Sequence, residues 1–292
     1  MITPRQTRLL RVPNLPSFQR VLASLIRDQD LLTARSCAVL VPSHAAAAEL
    51  RQTLETLLIA DEDRVATGKT LVFPDLLPRQ DWYRQLHNRL PDAPPLLDDL
   101  EREVLMGAAA RESEEEGIRA PFKLRPGLIA EIVRLYDELG RVRKTIDQFE
   151  RLMVQDLEAE SEVDRGAARL LQQTHFLVRT FRRYQTRLRE LGRLDEPTLR
   201  SWLIDHPLRQ PYLGIIVAVG DRAGDREGLW PADFDLLTRL PALRRIDIVV
   251  TEGQLAAGFH ERVHQVLPGI EEERVADDAR SSTCLLGPAT TG

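Results

Sequence analysis

Cysteine is almost missing from this chain: Cys37 and Cys284 stand alone in 292 residues, far apart and without a C-x-x-C partner. That excludes a disulfide framework and a cysteine zinc site, and it fits a reducing, cytoplasmic setting. Long apolar runs are lacking as well. No stretch reaches the ~18 uninterrupted apolar residues of a membrane span, and Met1 to Arg11 carries charges through its apolar positions, so neither an anchor nor an export signal is expected. An excess of positive charge is the third absence. Lys plus Arg number 40 against 45 Asp plus Glu, a net charge of −5, which excludes a uniformly basic coat for nucleic acid and confines any DNA contact to a local patch.

What is present has the balance of a globular protein, 43% hydrophobic and 29% charged, with length for about two domains. Arg8 to Val12, Ala38 to Val41, Gly214 to Val219 and Ile246 to Thr251 read as buried strands, the third nearly continuous in Ile and Val as a parallel sheet covered on both faces requires. Helical patterns follow each of them, at Ser17 to Arg27, His44 to Ile59, Pro231 to Leu240 and Gly258 to Leu267. Between Asp98 and about Leu203 β-branched runs vanish and apolar residues recur at helical spacing, as in Leu128, Ile132, Leu135 and Leu139. Prolines at Pro91, Pro94 and Pro95 mark the entry to this block and Pro207 to Pro211 its exit. The expected fold is therefore α/β: a parallel sheet, residues 1–97 and 207–292, split by a large all-helical insertion over 98–206. The acidic runs Glu112 to Glu116 and Glu158 to Asp164 read as solvated helix ends or loops.

A set of ordered segments carries a family likeness: Val39-Leu40-Val41-Pro42-Ser43 leading into Ala48-Glu49-Leu50-Arg51, then Thr70-Leu71-Val72-Phe73, then Tyr184 through Leu191-Gly192-Arg193-Leu194-Asp195-Glu196, and finally Ile215 to Asp221. In this order they resemble the first, RecA-like domain of superfamily 1 helicases of the UvrD type, and most closely the degenerate version at the N-terminus of AddB-like proteins, the PD-(D/E)XK nuclease subunits of double-strand-break repair. The resemblance implies a DNA-binding scaffold beside a helicase motor subunit (AddA-like), with DNA as the other partner, no membrane and no cofactor. It also implies an exonuclease domain outside this chain, since nothing after Val250 offers an Asp followed by Glu-x-Lys; the chain is expected to be a fragment.

The nucleotide site implied by that family is eroded. A phosphate loop needs Gly-x-x-x-x-Gly-Lys-Ser/Thr between strand and helix, so that backbone N–H groups close on the phosphates. The corresponding segment is Val12-Pro13-Asn14-Leu15-Pro16-Ser17, with no glycine, no lysine and two prolines that remove N–H donors. Asn14 and Ser17 are what remains, and Ser17 reads as a helix cap. Gly68-Lys69-Thr70 mimics the end of the motif, but Asp63 stands where the first glycine belongs and the triplet precedes the expected strand Leu71 to Phe73. The strand Ile215 to Val219 ends Gly220-Asp221-Arg222 where hydrolysis needs Asp-Glu, leaving Asp221 as a relic or a turn cap. No ATP hydrolysis is expected.

Two other patterns compete for function. His260-Glu261-Arg262-Val263-His264 matches H-E-x-x-H, in which both histidines share a helix face and the glutamate serves as general base of a zinc metalloprotease. The continuation Gln265-Val266-Leu267-Pro268-Gly269 lacks the metzincin third histidine, and the acids that follow (Glu271, Glu272, Glu273, Asp277 and Asp278) lie too soon after Pro268 for a long loop back to a metal. No metal site is expected on that ground. A pure protein-binding scaffold is the third alternative. The best candidate nucleic-acid site is the helix from about Gln172 to Leu191. Arg179, Arg182, Arg183, Arg187, Arg189 and Arg193 face the single acid Glu190, making the stretch locally about +5, with Arg179, Arg182, Arg183 and Arg187 near one face. Arginine suits phosphate because its planar fork binds bidentately.

Overall fold

The computed structural model describes residues 5–27, 34–59, 72–161 and 164–275. Among the described residues is a six-stranded, all-parallel sheet in the order β3-β2-β4-β5-β1-β6, with β1 at Gln6–Val12, β2 at Cys37–Val41, β3 at Asp75–Pro78, β4 at Gly214–Val217, β5 at Arg245–Thr251 and β6 at Glu271–Arg274. This is the expected α/β architecture, a RecA-like parallel sheet with helical parts. Two compact units divide the chain: the first holds 1–78, 213–228 and 244–292, the second 79–212 and 229–243. The boundaries read from sequence, at 97/98 and 206/207, both lie inside the second unit.

In the first unit, all five residues of β2 (Cys-Ala-Val-Leu-Val) are buried, as a strand covered on both faces demands. The register sets Leu9 beside Ile248, Val39 beside Ile216 and Ile216 beside Asp247. Helix α1 (Leu15–Arg27) presents Leu22, Leu25 and Ile26 to Val12, Val39 and Val249, and Leu54 and Leu58 of α2 (His44–Ile59) join the same cluster. Asp247 is the one acid in the middle of the sheet. It is satisfied there by Arg8, which donates to it at 2.8 Å, with the Arg245 charge 2.5 Å away.

One strand, β3, is displaced from its expected place, and one, β6, is not foreseen. The strand expected over Leu71 to Phe73 is displaced: Leu71 lies outside the described residues, Val72, Phe73 and Pro74 are irregular, and pairing with β2 begins at Asp75, opposite Ala38. β6 is Glu-Glu-Glu-Arg, exposed throughout, so no apolar periodicity announces it. It pairs with β1 through the backbone, Leu9 opposite Glu272, and through ion pairs from Arg11 to Glu272 at 3.0 Å and from Arg8 to Glu273 at 3.3 Å. The expected helix over Gly258 to Leu267 is broken as well. A turn at Glu252–Gln254 (α10) and a π-helical turn at Leu255–Phe259 precede the helix proper, because Gly258 adopts φ +87°, a left-handed conformation that an α-helix does not accept.

The second unit is helical: α3 (Arg79–Arg89), α4 (Asp99–Glu115), α5 (Pro126–Arg141), α6 (Ile146–Ser161), α7 (Arg165–Leu191), α8 (Glu196–Asp205) and α9 (Pro231–Arg239). α7 ends at Gly192, left-handed with φ 58°, and α8 starts on a capping box made by Asp195 and Thr198. Met106, Ile132, Tyr136, Phe176, Phe181 and Tyr184 form the core, where the Tyr136 ring centroid stands 5.4 Å from that of Phe181 and 5.1 Å from that of Tyr184. Inside it, Arg102 and Asp137 form a bidentate pair.

A second buried charge cluster is larger. Glu196 accepts hydrogen bonds from Arg79 at 2.6 Å, Arg141 at 3.0 Å and Arg200 at 2.7 Å. Arg79 also reaches Asp233 at 2.7 Å, and Asp233 accepts further bonds from the Tyr83 hydroxyl at 2.7 Å and the Trp230 backbone N–H at 2.8 Å. Burial and the Asp233 charge push the Tyr83 hydroxyl well above its ordinary value, so it stays a donor. For Glu196 burial opposes ionisation, yet the bonds from Arg79 and Arg141 prevail and hold its carboxyl far below the ordinary 4.5. A carboxylate depressed in the folded state stabilises above its unfolded value, and that contribution is lost as pH falls below about 4.5. Glu196→Gln is expected to cost about 3–5 kcal/mol at neutral pH, because it strands buried arginines. It should also flatten the loss of stability on acidification, measured by urea unfolding at pH 7, 5 and 3.5; a variant as stable and as acid-sensitive as the parent would refute this role.

Candidate functional site

Ligands of open parallel sheets bind in the crevice beyond the carboxyl ends of the strands, where adjacent strands lead in opposite directions. Here that place lies between β2 and β4: the chain leaves β2 outward to β3, whereas β4 leads the other way to β5. A cavity of about 370 Å³ lies at these ends, lined by Leu15, Phe18, Val41, Pro42, Ala218 and Gln254 among others, with Glu49 at its rim and no arginine or lysine among its described lining residues. Asn14 caps α1, its Oδ1 accepting the Ser17 backbone N–H at 2.9 Å, and the Ser17 hydroxyl accepts from Arg20 at 3.0 Å. Both relic residues of the phosphate loop thus serve the helix start. Gly68-Lys69-Thr70 lies outside the described residues.

Asp221 is engaged too. Its Oδ1 accepts from the Gly224 N–H at 3.2 Å, the turn cap, while Arg262 forks onto both carboxylate oxygens at 2.5 and 3.0 Å. Gly228 packs directly on this turn, where a Cβ would collide with the Asp221 carbonyl group, so the loop after β4 is closed tightly over Asp221. A carboxylate held bidentately by an arginine is not offered to a magnesium ion.

Arg262 belongs to the short helix α11 (His260–Val266), the H-E-x-x-H segment. Sequence spacing leaves too little chain after Pro268 for a third ligand, and this expectation does not hold. β6 returns beside β1 at once and places Glu272 Oε1 2.6 Å from both His260 Nε2 and His264 Nε2. The other oxygen of Glu272 accepts from Arg11 Nη1 at 3.0 Å. Burial works against its charge, but bonds from His264, Arg11 and His260 outweigh that and bring its carboxyl down to about 2. Glu261, the general base of the motif, is exposed.

The arginine stripe lies on α7 as expected, but its surroundings differ from the sequence reading. Arg179 and Arg183 pair with Glu116, Arg187 with Glu112, Arg193 with Glu101 at 2.8 Å, and Arg182 bridges Asp147 at 2.7 Å and Glu150 at 2.5 Å. Glu112 and Glu116, read from sequence as part of a solvated run, are the counter-charges. Beside this face runs an open groove of about 780 Å³, floored by Ile118, Leu171 and Val178 and edged by Arg119, Arg179 and Arg182, with Gln172 and His175. Arg119 and His175 are exposed, and Arg119 has no carboxylate partner among the described residues. Sequence reasoning missed Arg119 because it sits in the turn after α4, and missed His175, whose place on the same helix as the arginines is the signal that could have found it.

Asn14→Ala is expected to lower stability by about 1 kcal/mol through loss of the cap, measured by urea unfolding. Calorimetric titration of the parent with Mg-ATP should give no saturable heat, and saturable binding would overturn the reading of the crevice. No family model matches the chain, and no curated protein matches it significantly.

Proposed function

We propose that this chain is a non-hydrolysing, helicase-like module that binds DNA as a scaffold of an AddB-like break-repair assembly, working beside a motor subunit. The observation that carries the DNA-binding part is the α7 groove, where Arg119, Arg179 and Arg182 edge an apolar floor with His175 and Gln172 beside it. Cations along the rim suit a phosphate backbone, and an apolar floor with an imidazole suits bases presented by a single strand. The absence of catalysis is supported by a crevice without described cations and by an Asp221 committed to Arg262. Paired arginines do not speak against binding. Exposed ion pairs are worth only ~0.2–1 kcal/mol each, so phosphate can replace a carboxylate at modest expense. The neutralised stripe does imply weak, salt-sensitive affinity.

The metalloprotease alternative gains a third candidate ligand in Glu272, while Glu261, its general base, stands exposed.

Fluorescence anisotropy with single-stranded and duplex oligonucleotides over a salt series tests the proposal. Arg119→Ala and the pair Arg182→Ala/Arg183→Ala are each expected to weaken binding across all sequences and to lower the salt slope by roughly one for each phosphate that is no longer neutralised. Unchanged affinity and slope in both variants would remove the groove from the argument. No binding by the parent at low salt would refute the DNA reading and leave a protein scaffold. Phosphate release from ATP that tracks the purified chain would refute the non-hydrolysing part.

A further inference from the structure

We propose that His260, His264 and Glu272 form a binding site for a zinc-class divalent metal ion, closed between α11 and the edge strand β6. Their ligand atoms, two imidazole nitrogens and one carboxylate oxygen, lie within 4.8 Å of one another. Zinc takes this donor set at ~2.0–2.2 Å per ligand, which spaces neighbouring ligand atoms roughly 3.4 Å apart around a tetrahedral ion. The present separations of 2.6 Å from Glu272 Oε1 to each Nε2 are hydrogen bonds, and the side chains need open by less than about 1 Å to admit the ion. All three side chains are partly exposed, at 37%, 37% and 28%, which leaves room for that movement.

The supporting geometry is already in place. A spacing of four residues on α11 puts both rings on one face, with centroids 4.9 Å apart. Arg11 holds Glu272 Oε2, which turns Oε1 toward the imidazoles and leaves it to serve as a single-oxygen ligand. Backbone pairing of Leu9 with Glu272 fixes the strand that carries the carboxylate. Three protein ligands leave a fourth position to water. Two imidazoles select zinc, cobalt or nickel over magnesium and calcium, which take oxygen ligands. Such an ion would tie together α11 and a strand whose side chains are otherwise exposed, and the proposal is independent of the DNA reading.

The experiment uses the full chain without an affinity tag, loaded with zinc chloride and dialysed against metal-free buffer, with zinc counted by elemental analysis. Cobalt(II) reports the ligand field through visible absorption, and magnesium serves as the comparison ion. One zinc per chain is expected, with a four-coordinate cobalt spectrum and no magnesium uptake. His264→Ala and Glu272→Gln should each weaken zinc binding by more than the ~10–100-fold typical of changes beyond the ligand shell. Glu273→Gln, the neighbouring acid that pairs with Arg8, should bind as the parent does. His260→Ala takes the place of any variant that melts before the parent. Absence of stoichiometric zinc, undiminished affinity in the folded ligand variants, or an equal loss in Glu273→Gln would overturn the site.

Discussion

Two carboxylates, Glu196 and Asp233, set the organisation of the helical unit. Between them they take up three guanidinium groups, a phenol and a backbone N–H drawn from α3, α5, α8 and the start of α9. Desolvated charges tolerate no vacancy, since removing one partner exposes the others to the full cost of burial. That requirement ties Arg79 to Asp233 across 154 residues of sequence. It also explains why α9, which follows a strand of the sheet, belongs with the helices: Asp233 is fully buried and its cations are there.

Most of the sheet is legible in the sequence because burial on both faces leaves a mark. β2, β4 and β5 are runs of Val, Ile and Leu, and the helices after β1 and β2 carry clear apolar faces. β6 leaves none, since an exposed edge strand accepts Glu-Glu-Glu-Arg, with Glu272 and Glu273 meeting Arg11 and Arg8 of β1. The missing strand hides the third member of the histidine cluster. Only when Glu272 is known to run parallel to Leu9 does it come near α11, and spacing along the chain cannot supply that pairing. Gly258 gives a local hint of the broken helix, yet a lone glycine inside an apolar pattern is equally compatible with a continuous one.

The arginine stripe is a different case. Its helix and its face are readable from a spacing of three and four residues, whereas its counter-ions are not, because Glu112 and Glu116 reach it from α4 and the residue after it, 63 and 75 residues earlier in two of the pairs. Net charge could not show this either: a chain of −5 distributes its acids wherever packing puts them.

Exposure separates the arginines that can exchange partners from those that cannot. Arg182 is 44% exposed and its acids are on the surface, so water screens the pair and another anion can compete at an expense of about 1 kcal/mol or less. Arg79 is 12% exposed and faces a fully buried Asp233; no external phosphate can reach it without opening the unit. Both are arginines held by carboxylates, and both look alike in sequence. The difference lies in the dielectric around them, which makes one pair part of the architecture and leaves the other free to be traded for a ligand. Asp221, 13% exposed and forked by an Arg262 that is 33% exposed, keeps the residue type of a metal ligand while serving as a turn cap after β4.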